Sequence, residues 1–403
     1  MFSSRTNWKL ARNRLTEAVE EARARGVRLL DLIVSNPTRV GLRYDSTAIL
    51  GALGSERAMD YDPQAKGLLP AREAVASYYR ERVASGQGDL AGDVSAAKSA
   101  NIDPERVVLT TSTSEGYSFV FRLLCNAGDE LLVPKPSYPL FEFLADLQDV
   151  KLVPYPLIYD YGWQMDFHSL EKAVTQRTRG VVVVHPNNPT GSYVQPGEFA
   201  PLNDFCRANG LSLVVDEVFL DYALDDREQA SFVSNEEVLT FTLSGLSKIS
   251  ALPQMKVAWI VTSGPDSEVR EAMERLEVIA DTYLSMNAPM QWAIPTLLGQ
   301  RENVQQQLQE RAKKNLAELD HQLSKQKTCE RLCAEGGWCA VLRVPVTRSD
   351  EELAIELARE KSVLVHPGHF YDFPSDGYLV LSLIAEEPEF REGIVRVLEA
   401  LNS

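Results

Sequence analysis

Short apolar runs alternate with amphipathic, helix-length segments through the middle of the chain. Apolar runs that are continuous, rather than alternating with polar residues, are typical of parallel strands buried on both faces. The pattern therefore predicts an α/β fold, with a mostly parallel central sheet and helices on both of its faces. The predicted strands are residues 107–110, 130–134, 151–155, 181–184, 211–215, 238–242 and 257–261.

The N-terminal part of the chain has a different pattern. Apolar residues at helical spacing over 8–22, with Gly26 placed to end them, predict a helix that is followed by a short strand at 28–34. A second helix is predicted over 70–82. The polar, Gly/Ser/Ala-rich segment 85–101 is interpreted as a surface excursion.

The C-terminal part begins with a long helical pattern over 301–326. Beyond it, residues 338–403 alternate as strand, helix, strand, strand and helix, which predicts a smaller α+β domain. We expect a large domain at 46–295, and a small domain that combines 1–45 with 296–403.

Composition and charge exclude several classes of protein. The 403 residues are 44% hydrophobic and 24% charged, as in an ordinary globular protein, and the net charge is −16. A polyanion repels phosphate backbones, so nucleic acid is not an expected partner. The chain contains no membrane-length apolar run, and its N-terminus lacks the apolar core of a signal peptide. We therefore expect a cytoplasmic protein that has no membrane partner.

The cysteines are five in number and scattered, which favours reduced thiols over a disulfide framework. They lack the paired spacing and the histidine partners of a zinc site, so no metal site is expected. The five are Cys125, Cys206, Cys329, Cys333 and Cys339.

Two charged residues follow predicted buried strands. Lys248 lies in SGLSKIS, and a lysine that is desolvated at such a place can form a Schiff base. Asp216 ends the strand 211–215, where a buried acid needs a partner such as a pyridinium nitrogen. The alternatives are a solvated surface lysine and a helix N-cap.

Two polar motifs also follow predicted strands. HPNNPTG (185–191) can form a turn that aims an asparagine amide at a phenolic oxygen. TTSTSEGY (110–117) places hydroxyl groups at a helix start, which can bind phosphate. Each motif alone is equally compatible with turn or capping chemistry. The appearance of all four features at strand ends is not readily explained in that way.

With these motifs the chain resembles the class I/II aminotransferases, which are fold type I enzymes that use pyridoxal 5′-phosphate (PLP). The resemblance runs from about residue 30 to the C-terminus, and HPNNPTG, VVDE and LSK are its most specific elements. It implies that Lys248 forms the Schiff base with PLP. It also implies that Asp216 pairs with the pyridine nitrogen and that Asn188 binds the cofactor O3′.

The resemblance implies further cofactor contacts, and also a homodimer with shared sites. Tyr61 and Asn287 resemble residues that reach the cofactor of the neighbouring subunit, and Tyr138 resembles the aromatic residue that stacks on the ring. The phosphate would lie against the loop that contains Ser112, Thr113 and Ser114. Ser247 precedes the lysine, as in the family.

Three positions near the expected cofactor depart from the family pattern. Phe219 replaces a tyrosine that donates a second hydrogen bond to O3′, so we expect the imine of the bound cofactor to have a raised pKa. Lys256 replaces a phosphate-binding arginine, which keeps the charge but loses the bidentate fork. Gly245 replaces a frequent serine.

The largest departure concerns the substrate. The family normally reads L-R-x-S near its C-terminus, where the arginine clamps the substrate carboxylate, but this chain reads LVLSL with Val380 at that position. Either another cation substitutes, or the substrate lacks that carboxylate, or activity is lost. Arg39 is the favoured substitute, because its loop with Asn36 lies over the substrate in the family. The other candidates are Arg43, His366 and His369.

The favoured function is transfer of an amino group between an amino acid and a 2-oxo acid, which are its expected small-molecule partners. Two alternatives stay within PLP chemistry: β-elimination by a C–S lyase, and decarboxylation. A non-catalytic PLP-binding module is a third alternative, because Val380 could mark a lost activity. The sequence names neither the amino donor nor the acceptor.

Overall fold

The architecture was analysed in a computed structural model. It describes residues 2–8, 12–84, 102–139, 141–225, 229–284 and 286–402. Its strands are β1 (Leu30–Asp31), β2 (Val107–Thr110), β3 (Glu130–Lys135), β4 (Lys151–Tyr159), β5 (Trp163–Met165), β6 (Thr178–Val184), β7 (Ser212–Asp216), β8 (Thr240–Gly245), β9 (Ala258–Ser263), β10 (Glu330–Arg331), β11 (Cys339–Arg343), β12 (Val363–Leu364), β13 (His366–Pro367) and β14 (Tyr378–Ser382).

The α-helices cover both faces of the main sheet and pack around the smaller sheets. They are α1 (Arg14–Ala24), α2 (Ser46–Ala52), α3 (Leu69–Ala84), α4 (Thr113–Leu124), α5 (Phe141–Leu147), α6 (Phe167–Ala173), α7 (Pro196–Asn209), α8 (Leu246–Ile249), α9 (Asp266–Tyr283), α10 (Ala288–Gly299), α11 (Arg301–Leu323), α12 (Asp350–Glu356) and α13 (Glu387–Leu401). Among the described residues, no helix is both long enough and apolar enough to cross a membrane.

The main sheet has eight strands in the order β2-β9-β8-β7-β6-β3-β4-β5. Strands β8, β7, β6, β3 and β4 are parallel, whereas β9 runs antiparallel to both of its neighbours and β5 runs antiparallel to β4. The predicted α/β class with a mostly parallel sheet is therefore confirmed. All seven predicted strands are present, and the short strand β5 is the addition to them.

The direction of β9 decides which residues meet at one edge of the sheet. Because β9 is antiparallel to both β2 and β8, those two strands point the same way, as do β7, β6 and β3. Their carboxyl ends therefore lie at the same edge as the amino end of β9. In open α/β sheets, ligands bind outside this edge.

The smaller sheets bring the two ends of the chain together. β10, β11, β14 and β13 form an antiparallel sheet, and β1 pairs in parallel with β12. One buried apolar cluster joins Leu15 and Leu32 from the N-terminal part to Leu319, Leu381 and Ile394 from the C-terminal part. The domain limits at 46–295 and at 1–45 with 296–403 stay a prediction.

The predicted N-terminal helix starts too early. Helix α1 begins at Arg14, because the Asn13 side chain accepts a hydrogen bond from the Thr16 N–H and caps the helix there. Trp8, which the pattern placed on that helix, instead donates its indole N–H to Asp146 Oδ2 at 2.8 Å. The spacing of apolar residues does not show where a capping side chain starts the helix.

Two predicted strand limits also differ. Of the predicted strand 28–34, only Leu30–Asp31 pairs with another strand. The strand predicted at 238–242 begins at Thr240 and continues to Gly245. The helix predicted at 70–82 corresponds to α3, whereas the predicted surface excursion at 85–101 lies outside the described residues.

A close backbone approach joins the HPNNPTG loop to the segment before β11. The Gly191 carbonyl accepts hydrogen bonds from the N–H groups of Glu335, at 3.0 Å, and Gly336, at 2.8 Å. Gly191 has a φ of +70°, and a Cβ added to it would lie 2.5 Å from the Gly336 carbonyl oxygen. Only glycine fits both the positive φ and the close contact. The two hydrogen bonds therefore hold the HPNNPTG loop against the segment before β11.

Candidate active site

Four chain segments converge at the carboxyl edge of the main sheet. Asp216 ends β7, Lys248 lies on α8 directly after β8, and Asn188 lies in the loop after β6. Ser112 precedes α4, which follows β2. All four residues line one cleft of about 460 Å³, whose other wall comes from the small antiparallel sheet.

Most of the residues predicted for the cofactor site line this cleft. They are Ser112, Thr113, Ser114, Tyr138, Asn188, Asp216, Phe219, Ser247, Lys248 and Lys256. Among the lining residues that were not predicted for the site are Trp338, Cys339, Phe370 and Tyr371.

Lys248 is held by its backbone and surrounded by aromatic rings. The Tyr222 hydroxyl donates to the Lys248 carbonyl at 2.6 Å, and the ammonium nitrogen lies 5.3 Å from the Phe219 ring centre and 4.8 Å from that of Trp338. Burial lowers the pKa of Lys248 to about 8, well below its usual value. A larger fraction of the amine is then unprotonated near neutral pH, as a nucleophile or proton acceptor requires.

Asp216 accepts hydrogen bonds from the Tyr117 hydroxyl, at 3.0 Å to Oδ2, and from the Val218 N–H, at 3.0 Å to Oδ1. Burial raises the pKa of Asp216 to about 6 despite these bonds, so its charged form lacks a full partner. A cationic ring nitrogen would supply one. Tyr117 was not predicted for the site, although it lies in the quoted TTSTSEGY motif.

The start of α4 is a candidate anion site. Ser112 caps this helix by accepting the Glu115 N–H at 3.1 Å, and Thr113 and Ser114 are its first two residues. Lys256 approaches from the amino end of β9, in a left-handed conformation with φ +53°. Helix-start N–H groups, hydroxyl groups and one cation are the chemistry that binds a phosphate.

The two asparagines of HPNNPTG have different roles. Asn187 is buried and closes the turn, where its Oδ1 accepts from the Thr190 hydroxyl at 3.1 Å and its N–H donates to the Ser192 carbonyl at 2.8 Å. Asn188 faces the cleft, and the Cys339 thiol donates to its Oδ1 at 3.6 Å. This contact leaves the Asn188 amide N–H groups to act as donors within the cleft.

The Gly245 departure has a steric explanation. A Cβ at this position would lie 2.7 Å from the Val257 carbonyl oxygen and 2.8 Å from the Ala258 Cβ. The serine of the family pattern would therefore need the β8–β9 pair to move apart. Phe219 is buried beside Trp338, with its ring centre 5.2 Å from that of the indole, so an aromatic wall stands where a phenol is usual.

Four predicted residues do not line the cleft of the single chain. Tyr61 is 80% exposed, and Asn287 is an exposed N-cap of α10. Asn36 caps a short 3-10 turn by accepting the Thr38 N–H at 3.0 Å, and Arg39 is exposed at the end of that turn. Roles for these residues at the site stay predictions.

The cleft fits PLP on the evidence of its own groups. A half-buried acid with a raised pKa lies at Asp216, an amine with a lowered pKa at Lys248, and a candidate anion site at the start of α4 beside Lys256. These match the ring nitrogen, the aldehyde and the phosphate of that cofactor. Fold and site together define a PLP-dependent enzyme of fold type I.

Residues 62–387 match the sequence profile of aminotransferase class I and II, and the chain belongs to that family of PLP-dependent transferases. The glutamate-pyruvate aminotransferase AlaA of Escherichia coli strain K12 is 29% identical over 280 residues, which cover 69% of this chain and 65% of that protein. The chain thus matches somewhat less than two thirds of the length of this relative. AlaA of Haemophilus influenzae is 26% identical over 94% of this chain and 91% of its own.

Solved structures agree with the fold. An alanine aminotransferase from Pyrococcus furiosus superposes with a TM-score of 0.87 and 21% identity, and the match covers 100% of both chains. At this level of identity the likeness supports the architecture of the main sheet and its helices, while the assignment to the family rests on the sequence match.

The position of Lys256 predicts a specific effect on cofactor binding. Lys256→Ala should weaken PLP binding by about tenfold or more, because a charge-assisted phosphate contact is lost, whereas Lys256→Arg should retain or improve it. The measurement is a titration of the cofactor-free protein with PLP in phosphate-free buffer. Lys151→Ala, at an exposed lysine that begins β4, is the matched control. Equal affinities of the Lys256 and Lys151 variants would contradict the assignment.

Proposed function

We propose that this protein transfers an amino group between an amino acid and a 2-oxo acid. The observation that carries the proposal is the convergence of Lys248, Asp216 and Asn188 at one cleft, although each follows a different strand. Family membership supports the same activity. The partners are a small amino donor and a small 2-oxo acid acceptor.

Bound PLP supplies an electron sink for the substrate bond that breaks. Lys248 Nζ, with its lowered pKa, is suited to accept a proton from the substrate α-carbon and to return it elsewhere. Asp216 would keep the ring nitrogen protonated, since its desolvated charge would gain stability from that cation. Asn188 would donate to the phenolic oxygen, and Phe219 has no hydroxyl to act as a second donor.

Relatives guide the choice of the first substrates. The two bacterial relatives are named for glutamate and pyruvate, so glutamate and alanine are the donors to test first, with pyruvate and 2-oxoglutarate as acceptors. We also propose a cytoplasmic location. The five cysteines, which form no disulfide in the described part of the chain, support it, because reduced thiols are typical of reducing compartments.

A homodimer with shared sites belongs to the same proposal. Helix α10, which Asn287 caps, packs against α2 and against the 3-10 turn Glu56–Met59. This part of the surface exposes large apolar side chains, with Leu50 64%, Met59 88% and Tyr61 80% exposed. Apolar side chains exposed together mark interaction surfaces, and a second copy of this chain is the occupant we propose.

The proposed reaction predicts a change in the form of the cofactor. In stoichiometric amounts and without an acceptor, an amino donor should convert bound PLP to its amine form, and a 2-oxo acid should reverse the conversion. Extraction and chromatography of the cofactor measure both steps. Lys248→Ala should block the conversion, since it removes the amine that moves the proton.

The same experiment tests the alternatives. A C–S lyase would leave the cofactor in its aldehyde form while ammonia accumulates, and a decarboxylase would release carbon dioxide. If no donor from a broad panel changes the cofactor and none is consumed, the protein is a non-catalytic binding module. Each of these results would contradict transamination.

Shared sites predict complementation between inactive chains. Lys248→Ala and the double variant Tyr61→Ala with Asn287→Ala should each be inactive alone. Random pairing makes half of the dimers mixed, each with one intact site of two, so refolded mixtures should recover about a quarter of wild-type activity. The assay is transamination after mixing. Full activity of the double variant alone, or no gain on mixing, would show that each subunit completes its own site.

A further inference from the structure

The two walls of the cleft come from different parts of the chain. The wall at the edge of the main sheet contains Asp216, Lys248 and Lys256. The wall from the N-terminal segment and the small sheet contains the apolar or aromatic residues Ile33, Val34, Trp338, Phe370 and Val380, together with the polar Ser35 and Ser382. Within the described parts of the chain, the basic side chain that lines this second wall is His366.

The register of the small sheet places His366 beside Val380. Strands β13 and β14 are antiparallel, and His366 lies directly opposite Val380. Opposite residues of such a pair share one face of the sheet, with Cβ atoms about 4.5–5.5 Å apart. The imidazole therefore belongs to the strand next to Val380, the position at which the family pattern implies an arginine.

A hydrogen bond to Tyr371 orients the imidazole. His366 Nδ1 lies 2.9 Å from the Tyr371 hydroxyl. When the phenol donates to Nδ1, the ring proton resides on Nε2, for which no hydrogen-bond acceptor occurs among the residues that the structure describes. The Tyr371 carbonyl in turn accepts the Ser137 N–H at 3.0 Å, which ties this loop to the large sheet.

The other candidate cations are less suitably placed. Arg39, Arg43 and His369 are exposed and do not line the cleft. The His369 ring instead packs edge-on against Phe370, 4.7 Å between ring centres. Burial lowers the pKa of His366, although the charge of Asp31 opposes this, so a donor N–H rather than a permanent charge faces the cleft.

We propose that His366, positioned by Tyr371, binds the carboxylate of the amino donor in place of the arginine that Val380 replaces. The proposal rests on the proposed function, because it places the donor in the same cleft. It makes the donor an α-amino acid rather than a simple amine. Val380 and Phe370 would border the same carboxylate without contributing charge.

Two substitutions separate the hydrogen bond from packing. His366→Gln keeps an N–H donor near the position of Nε2, whereas His366→Leu fills similar space without one. His369→Leu, three residues away and exposed, is the matched control, and Tyr371→Phe tests the orienting bond. PLP affinity and thermal stability of each holoenzyme show whether a variant is folded and loaded.

The readout compares donors that differ only in the carboxylate: phenylalanine with 2-phenylethylamine, and alanine with ethylamine. His366→Leu should lower kcat/KM for the amino acids by about tenfold or more, mainly through KM, and leave the amines unchanged. His366→Gln should retain most of the wild-type value. The kcat/KM of Tyr371→Phe for the amino acids should lie between those of His366→Leu and His366→Gln.

A binding experiment makes the test independent of turnover. In calorimetry on the holoenzyme, 3-phenylpropionate, which has the carboxylate but no amine, should bind at least about tenfold more weakly to His366→Leu than to His369→Leu. Equal binding to these two variants, an equal loss for amino acids and amines, or faster reaction of wild type with amines would overturn the proposal. If 3-phenylpropionate still binds more weakly to His366→Leu than to His369→Leu but no amino group is transferred, only the proposed function is contradicted.

Discussion

Two ionisable groups, Asp216 and Lys248, lie below the surface at the ends of neighbouring strands. The site depends on how desolvation there destabilises their charged forms. Strands β7 and β8 pair so that Asp216 lies opposite Leu243, which places the acid a few residues from the lysine. Burial shifts the pKa of both groups toward their neutral forms, up to about 6 for the acid and down to about 8 for the amine. Neither pKa shift stabilises the protein without a ligand. Both shifts suit a ligand that has a cationic ring and a carbonyl carbon.

The sheet topology brings these groups together and also forms the candidate phosphate site. A fully parallel sheet would carry the start of β9 to the opposite edge, together with Lys256. Because β9 runs antiparallel between β2 and β8, its amino end meets the start of α4. One reversed strand therefore places the cation beside the helix-start N–H groups. The left-handed conformation of Lys256 completes the turn into β9.

Much of this site could be predicted from the sequence, because its central residues follow their strands directly. Lys248, Asp216, Asn188 and the serines of α4 belong to local motifs whose strand ends must meet in a parallel sheet. Residues from the small sheet could not be placed in this way. The positions of His366 and Trp338 depend on strand register and on packing between distant segments, which local patterns do not encode.

Other limits of the sequence reading have equally physical causes. The start of α1 depends on one capping side chain, Asn13, rather than on the apolar spacing. Tyr61 and Asn287 are exposed on the single chain, so the roles proposed for them would require a second copy. Arg39 is exposed and does not line the cleft of the single chain, so its role in substrate binding stays a prediction.

We propose that Lys248 carries the cofactor covalently. Reduction of the PLP-loaded protein with borohydride, followed by proteolysis and mass spectrometry of the peptides, tests this attachment. We expect one cofactor per chain, attached to the peptide that contains Lys248 and lost in Lys248→Ala. Attachment at Lys256 or another lysine, or a protein that holds no cofactor after incubation with PLP, would contradict it.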